Sequence, residues 1–232
     1  MGMLIAAAAV FLGIHLLVAG TRARDAVTGT IGENAYLGLF SLASLGGIVW
    51  LVVAYNGAQA GGENELVYDL GVGVRHLAPL VVLLAFLLAV PGLLLPNPTS
   101  VRQEGAATRA DAVKGVLAIT RHPFLWGVAL WAAMHLLANG DTASVLFFGT
   151  FLVLALLGTF SIDAKRRRKL GAAWDGFAAR TSNLPFAALA SGRAKLKWRE
   201  ILDWRLAVAV VLYLALLFGH QSLMGVSPFA TG

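Results

Sequence analysis

Apolar residues in this chain gather into six long segments that are separated by polar stretches. Most of these segments are apolar around the whole helical circumference, which is typical of helices embedded in lipid. The segments lie at Met3–Ala19, Tyr36–Asn56, Leu70–Leu95, Pro123–Leu137, Thr142–Ile162 and Trp204–Met224. Since a bilayer span takes about 20 residues, the pattern predicts an all-α fold. We expect one polytopic helical bundle over residues 1–232, with about six transmembrane helices.

The composition agrees with a membrane protein and excludes a soluble enzyme. Of the 232 residues, 58% are hydrophobic and 13% are charged, and the mean hydropathy is +0.76. Soluble domains average about 45–50% apolar and about 25% charged residues, so this chain has too little charge to cover a globular surface in water. The sequence contains no cysteine, which excludes disulfides, thiolate metal ligands and covalently attached haem.

The positively charged residues fall in alternate loops. Of the 18 lysines and arginines, two follow the first segment, four follow the third and ten lie within 163–203. Such loops are typically cytoplasmic, so we expect both termini on the non-cytoplasmic side, and the net charge of +6 then reflects orientation rather than nucleic-acid binding. Within the expected cytoplasmic segment at about 163–203, Lys165–Lys169 followed by Trp174 and Phe177 predicts a basic amphipathic helix on the membrane surface.

Five histidines lie in or beside the apolar segments, namely His15, His76, His122, His135 and His220. Ionisable residues inside a membrane are rare and usually face the bundle interior. Without cysteine, histidine is the natural ligand for a transition metal or haem iron. The alternative for each is a neutral imidazole that is hydrogen-bonded to a neighbouring helix, and we favour this interpretation for His76 and His220.

His15 precedes Arg22 by seven residues, so the two side chains lie on nearly the same helical face, two turns apart. This spacing suits a haem site, with the imidazole on iron and the guanidinium on a propionate carboxylate. The alternative is that Arg22 only extends to the membrane interface.

The stretch Thr120–Gly127 is the most motif-like part of the sequence. Because the fourth apolar segment is short for a span, we expect its helix to begin near Asp111, with Pro123 as an internal kink. Proline lacks an N–H donor, so a backbone carbonyl one turn earlier is freed beside Arg121 and His122. These groups form a candidate polar pocket, and the glycine that ends the stretch allows close helix approach.

Several stretches together resemble the NnrU family, bacterial membrane proteins associated with nitrite and nitric oxide metabolism. They are His15 with Arg22, Pro96–Thr99, Thr120–Gly127, Trp131–Asn139 and Arg180–Phe186. The resemblance implies a multi-pass protein of the bacterial inner (cell) membrane, with an accessory role in denitrification as one interpretation. More distantly, the chain is similar to 15-cis-zeta-carotene isomerases, which carry non-covalent haem b and isomerise a polyene double bond in a redox-dependent way.

The isomerase resemblance implies roles for individual residues. Its axial histidines match His15 and His135, and the histidine of its Arg-His-Pro element matches His122. It therefore implies haem b held by His15 and His135, with Arg22 at a propionate and with Arg121 and His122 as the catalytic residues of the adjacent cavity. The implied activity is redox-gated cis–trans isomerisation of an apolar polyene, which is bound within the lipid bilayer.

Two observations keep alternatives open for the metal ligands. The isomerases have a cysteine as an alternative ligand where this chain has Ala132, so ligand switching of that kind is absent here. At ~1.5 Å per residue, His15 lies deep in its segment whereas His135 lies near the outer end of its own. His122 therefore competes with His135 as the second ligand.

A fainter similarity runs to isoprenylcysteine carboxyl methyltransferases, whose matching region binds S-adenosylmethionine at the cytoplasmic face. Ile162-Asp163 stands where those enzymes have a pair of acids. A methyltransferase-like enzyme is therefore the alternative to a haem isomerase, and a non-enzymatic accessory protein is a third interpretation. The matching residues are Arg121-His122-Pro123, Gly127, Asp163 and Arg180–Pro185.

Overall fold

The computed structural model describes residues 1–229, and this part of the chain is built from helices, which confirms the predicted class. In chain order they are α1 (Gly2–Leu12), α2 (Ala23–Ile31), α3 (Glu33–Gln59), α4 (Val72–Leu94), α5 (Pro123–Ala138), α6 (Thr142–Leu170), α7 (Ala172–Ala179), α8 (Ala187–Ala190), α9 (Trp198–Ile201) and α10 (Trp204–Met224). A π-helical segment follows α1 at Gly13–Val18, and 3₁₀ turns lie at Glu104–Thr108 and Gly115–Ala118.

Helices α4, α5 and α6 form the centre of the bundle, with α10 packed on α4 and with α1 packed against α3 and α6. The close approach of α4 and α5 depends on glycine. A Cβ atom at Gly127 would lie 2.6 Å from the Ala85 carbonyl oxygen, and one at Gly92 would lie 2.7 Å from Pro123. The expectation that Gly127 allows close helix packing is therefore confirmed.

Four helices, α3, α4, α6 and α10, are long and apolar enough to cross a membrane. Helix α1 with its π-helical extension (Gly2–Val18) meets α2 at a bend of 79°. If the two helices together count as one span, they are a fifth candidate. The sequence predicts six because it includes α5, which has 16 residues. That length gives roughly 24 Å, which is short of a hydrocarbon core of about 30 Å.

Helix α5 begins at Pro123, so the expectation of a helix from near Asp111 with a kink at Pro123 is wrong. Proline disfavours helical geometry in the residue before it, and its missing N–H costs nothing at the first helical position. His122 therefore stands outside the helix, with φ −119° and ψ 52°, at the point where the chain turns into α5.

The loops that carry most of the positive charge meet at one end of the bundle, which we call the basic end. Here Arg24 pairs with Glu33 at 3.0 Å, while Glu104 contacts Arg166 and lies 3.1 Å from Lys169 Nζ. Lys169 Nζ also lies 3.9 Å from Glu33, so these contacts join α2, the start of α3, the loop after α4 and the last turns of α6. The N-terminus lies at the opposite end, where its amino group contacts a carboxylate of the α3–α4 loop.

The segment at about 163–203 differs from the expected surface helix. Lys165–Lys169 forms the last turns of α6 rather than a separate helix. Trp174 and Phe177 on α7 are fully buried, because residues of the α4–α5 loop pack over them instead of lipid. This segment and that loop form a compact layer on the basic end, and its location in the cytoplasm stays a prediction.

Candidate functional site

Three residues that the sequence motifs single out, Arg121, His122 and Asp163, meet at the basic end. Nε2 of His122 lies 2.6 Å from Oδ1 of Asp163, and Nε of Arg121 donates to the two carboxylate oxygens at 2.9 and 3.0 Å. His122 is only 2% exposed. One carboxylate on α6 therefore binds both residues that precede α5, and this polar cluster fixes the start of α5 against α6.

Asn183, in the loop after α7, supports the polar cluster from a second direction. Its backbone carbonyl accepts from Thr120 Oγ1 at 2.6 Å and from Trp126 Nε1 at 2.8 Å, and its side-chain amide donates to Thr159 Oγ1 at 3.0 Å. Sequence reasoning assigned no role to this residue. The only signal was the Arg180–Phe186 stretch, since the partners of Asn183 lie 24 to 63 positions away.

The other ring nitrogen of His122, Nδ1, is buried and has no hydrogen-bond partner within residues 1–229. When Nε2 donates to the ionised carboxylate of Asp163, the lone pair of the neutral imidazole stands on Nδ1. A buried lone pair without a donor costs free energy, and it is also what a general base or a ligand-binding imidazole requires. This atom is therefore the unpaired acceptor of the polar cluster.

An open cavity of about 500 Å³ lies beside the polar cluster and is bordered by Arg121. Its volume falls in the range of small-molecule binding sites. Arg180, which belongs to the methyltransferase-like motif, donates instead to the Gly176 carbonyl at 3.2 Å. The remaining lining is mostly polar and includes Arg167, Asp175, Thr181, Ser182, Asn183 and Arg193.

The π-helical segment positions His15 toward α3. Nδ1 of His15 donates to the Phe11 carbonyl at 2.8 Å, and the ring packs on Phe11 at 4.3 Å and on Phe40 at 5.1 Å between centroids. Nε2 lies 3.4 Å from the Ser44 hydroxyl. Because the backbone carbonyl holds the proton on Nδ1, Nε2 carries the lone pair, and a metal ion would bind there in place of the long contact from the Ser44 hydroxyl.

His135, near the end of α5, has the same arrangement. Its Nδ1 donates to the Trp131 carbonyl at 2.8 Å, and its ring stacks on Phe148 at 4.7 Å. Within residues 1–229 its Nε2 makes no hydrogen bond. Both histidines predicted as ligands thus present an Nε2 lone pair, which is the donor that haem iron takes from imidazole.

His15 and His135 border one aromatic cluster, and no direct contact joins the two imidazoles in the part of the chain that the structure describes. The cluster links them through Phe11 and Phe151, 5.8 Å apart, and through Phe151 and Trp131, 5.6 Å apart. The donor chemistry and the apolar surroundings fit haem b at either histidine. Ligation by both histidines at once requires these aromatic contacts to open.

Among residues 1–229, no hydrogen bond or ring contact joins Arg22, His76 or His220 to either cluster, whereas His122 belongs to the polar cluster. Arg22 is exposed just before α2, and His76 is exposed in the first turns of α4. His220 donates from Nδ1 to the Val226 carbonyl at 2.8 Å. His122, the competing ligand, has its Nε2 engaged by a carboxylate. Between residues 1 and 229, no group of three or more histidine or carboxylate side chains is arranged to hold a metal ion.

An ion-pair network at the basic end was not indicated by the sequence. Glu104 contacts Arg166 and accepts from Lys169 at 3.1 Å, while Arg166 also donates to the Ser100 carbonyl at 2.6 Å. Burial raises the pKa of Glu104, but hydrogen bonds from backbone N–H and from the two cations together outweigh burial and lower the pKa to about 2. The Glu104 carboxylate is therefore ionised at neutral pH.

Comparison with known proteins supports the resemblance seen in the motifs. Over 82 residues the chain is 34% identical to the chloroplastic 15-cis-zeta-carotene isomerase of Zea mays. This matched stretch covers 35% of this chain and 22% of that protein. Over 116 residues it is 28% identical to the Arabidopsis thaliana isomerase, which covers 49% of this chain and 32% of that protein. The matched stretches thus span about a third or less of these relatives.

No solved structure matches the chain. A family model described as NnrU protein matches residues 3–228, which is nearly the whole sequence. The chain therefore belongs to the NnrU family, with a distant similarity to zeta-carotene isomerase.

Proposed function

We propose that this protein is a haem b-dependent cis–trans isomerase of an apolar polyene in the bacterial inner membrane, with His15 and His135 as the iron ligands. One observation carries the proposal: each imidazole donates Nδ1–H to the carbonyl four residues earlier and keeps its Nε2 lone pair beside a shared aromatic cluster. Both relatives named above are zeta-carotene isomerases, which favours a polyene substrate. Haem, when bound, supplies the redox-controlled activation of the double bond.

The chain's own residues orient the ligands and exclude water. The Phe11 carbonyl fixes the orientation of the His15 ring, and the Trp131 carbonyl fixes that of the His135 ring. Phe148 and Phe151 add an apolar surface that suits a hydrocarbon chain. Arg22, which is exposed near the basic end, extends toward a propionate carboxylate in this proposal.

Arg121 and His122 are the catalytic residues in this proposal. The buried Nδ1 lone pair of His122 is the hydrogen-bond acceptor that this cluster could offer a substrate, and the Asp163 carboxylate keeps the ring proton on Nε2. Arg121 positions that carboxylate through its two contacts. Because His122 Nδ1 is buried, the proposal requires that the substrate reach this nitrogen from inside the bundle.

The proposed topology has six membrane crossings, with the basic end in the cytoplasm and both termini outside. Short as it is, α5 runs from the basic end to the opposite end, where Tyr68 donates to the Leu136 carbonyl at 2.5 Å. Reporter fusions placed after Glu63 and after Arg168 test this. We expect an external signal at Glu63 and a cytoplasmic one at Arg168, and the reverse result contradicts the topology.

An absorption spectrum of the purified full chain, expressed with added haem, tests the cofactor. We expect a Soret band that is lost or strongly weakened in His15→Ala and in His135→Ala. The matched controls His76→Ala and His220→Ala remove histidines outside the aromatic cluster and should keep the band. Absence of a Soret band in the parent protein, or equal bands in all four variants, overturns the haem proposal.

A second candidate function is an S-adenosylmethionine-dependent enzyme at the polar cluster. The observation that favours it is that Arg121, His122 and Asp163 meet beside a polar cavity of about 500 Å³. Calorimetry with S-adenosylmethionine separates the two candidates, because the haem proposal predicts no heat of binding. Micromolar binding that Asp163→Asn weakens would favour the second candidate, and the absence of binding removes it.

A further inference from the structure

A small second cavity at the basic end, which we call the inner pocket, lies among α2, α3, α6 and the loop after α4. Its volume is about 80 Å³. Its polar lining consists of Tyr36, two carboxylates and four cations, and Phe40 contributes to its apolar lining. The four cations are Arg24, Lys165, Arg166 and Lys169.

Two buried hydrogen-bond donors on the wall of the inner pocket lack partners. Tyr36 and Arg166 are each 5% exposed, and neither Tyr36 Oη nor Arg166 Nε has a hydrogen-bond partner within residues 1–229. The other guanidinium nitrogens of Arg166 bond to Glu104 and to the Ser100 carbonyl. Since buried donors are nearly always paired, two unpaired donors on residues that line one cavity point to a missing acceptor beside them.

The charges around the inner pocket also leave an excess of cations. Glu33 lies 3.0 Å from Arg24 and 3.9 Å from Lys169, and Glu104 pairs with Arg166 and with that same lysine. Lys165 has no carboxylate within 4.0 Å in the part of the chain that the structure describes. Arg24 also stands over the Tyr36 ring at 5.3 Å, which keeps its positive charge beside the phenol. An acceptor in this pocket would therefore be favoured when it is an anion.

We propose that the inner pocket binds one anionic oxygen group, a phosphate or a carboxylate, that accepts from Tyr36 Oη and Arg166 Nε and is neutralised by Lys165. The volume agrees with this size of ligand. At about 80 Å³ the inner pocket is well below the roughly 300–1,000 Å³ of sites that take drug-sized ligands, so a small oxyanion group suits it better than a nucleotide.

The inner pocket also connects to the apolar interior. Tyr36 stacks on Phe40 at 5.9 Å, and Phe40 contacts the His15 ring at 5.1 Å. The acidic group of an amphiphile bound in the pocket would therefore have its apolar part beside α1 and α3. The inference stands without the proposed haem site, since it rests on the donors and charges of the pocket.

Thermal unfolding of the full chain in phosphatidylcholine nanodiscs tests the proposal, with two probes. One is inorganic phosphate against chloride at equal ionic strength, and the other is the addition of phosphatidylglycerol to the nanodisc. A bound ligand raises the unfolding midpoint. We expect at least one probe to do so, and we expect Tyr36→Phe and Lys165→Gln each to weaken that probe's apparent affinity about tenfold.

The unfolding midpoint of Tyr36→Phe in the absence of a probe gives a second, independent test of the proposal. Without a ligand the substitution removes an unpaired buried hydroxyl, so the unfolding midpoint should stay or rise, whereas with the ligand the gain in midpoint should shrink. Tyr213→Phe is the matched control, because its hydroxyl donates to the Pro79 carbonyl at 2.8 Å and its loss should lower the midpoint without changing the probe's effect. Lys195→Gln is the exposed-lysine control.

The probes also identify the source of the anion. A response to phosphatidylglycerol alone assigns the pocket to a lipid headgroup, and a response to inorganic phosphate alone assigns it to a free anion. If neither probe raises the midpoint, or if Tyr36→Phe and Lys195→Gln respond alike to both probes, the proposal is overturned. No haem is present in these measurements, so their failure is distinct from failure of the proposed function.

Discussion

The aromatic cluster and the polar cluster hold their histidines in opposite ways. His15 and His135 each donate Nδ1–H to the carbonyl four residues earlier, so the hydrogen bond that orients each ring is local, and other helices add ring packing rather than an ion pair. His122 is bonded to Asp163, 41 positions away, and its neighbour Arg121 is bonded to the same carboxylate. Local bonding fixes a ring without contributing to tertiary structure, whereas long-range bonding makes a ring part of the fold.

This difference separates function from stability in the two regions. A histidine that is held by its own helix can be exchanged with little effect on folding, so a change in haem binding reports on ligation. A side chain of the polar cluster also stabilises the fold. A loss of activity in a variant of that cluster therefore identifies a catalytic role only if the free energy of unfolding is measured as well. The predictions below test this separation, in order of decreasing effect.

Removal of the carboxylate at position 163 should have the largest effect. Asp163→Ala leaves Arg121 and His122 without their shared acceptor in a mostly buried place, with the Arg121 side chain 14% exposed. Removing one partner of a buried pair costs about 3 kcal/mol at the lower end of its range. Urea titration of the protein in mild detergent should show this loss. Asp175→Ala, at a side chain that is 62% exposed, is the control and should change the free energy of unfolding by less than about 0.5 kcal/mol.

Equal losses for these two variants would show that the polar cluster does not stabilise the fold. In that case Arg121, His122 and Asp163 would be free to serve chemistry alone, and the contrast with the aromatic cluster would disappear.

The Thr120 hydroxyl should come next. Thr120 is fully buried and donates to the Asn183 carbonyl at 2.6 Å. Thr120→Val keeps the shape and leaves a buried carbonyl with one donor fewer, which costs about 2 kcal/mol. Thr108→Val is the matched control, because that hydroxyl is exposed and bonds only within its own turn at 3.1 Å. If both variants unfold at the same urea concentration, the loop after α7 does not support the polar cluster.

Much of the helical framework follows from the sequence because lipid-facing helices are uniformly apolar and the basic residues sort into alternate loops. The motif residues Arg121 and His122 were also identified, since arginine, histidine and proline are rare next to one another in an apolar chain. The start of α5 was misjudged although proline at a first helical position was a readable alternative. The six-span count depended on that same short segment.

Other parts of the site could not be read from the sequence. Glu104 contacts Arg166 in the last turns of α6, 62 positions away, and Tyr36 lines the same small pocket. No periodicity in the sequence records such a long-range contact. The π-helical segment around His15 has no distinct composition either. Functional residues could therefore be predicted where a polar residue is unusual for its apolar surroundings. They could not be predicted where the fold brings together residues of ordinary type from distant positions.

Acidification should expose the contribution of Glu104. Its pKa is lowered from 4.5 to about 2 in the folded protein, so its stabilising effect is complete above about pH 4.5 and is lost as the pH falls toward 2. The side chain is partly exposed, so after solvent screening we expect about 1 kcal/mol. Unfolding midpoints measured between pH 6 and pH 2 should fall more steeply for the parent protein than for Glu104→Gln. Parallel curves for the two proteins would show that the ion pairs of Glu104 contribute nothing.

The smallest change in stability should come from His135→Phe, although it should change ligation completely. Phenylalanine keeps a ring against Phe148 and Trp131, and the carbonyl that loses the Nδ1 donor still accepts the helical N–H. We expect less than about 1 kcal/mol in the free energy of unfolding, together with loss of the Soret band. His220→Phe should leave both quantities unchanged. A Soret band that survives in His135→Phe and disappears in His15→Phe would assign the iron to His15 alone, and the aromatic contacts between the two histidines would then have no need to open.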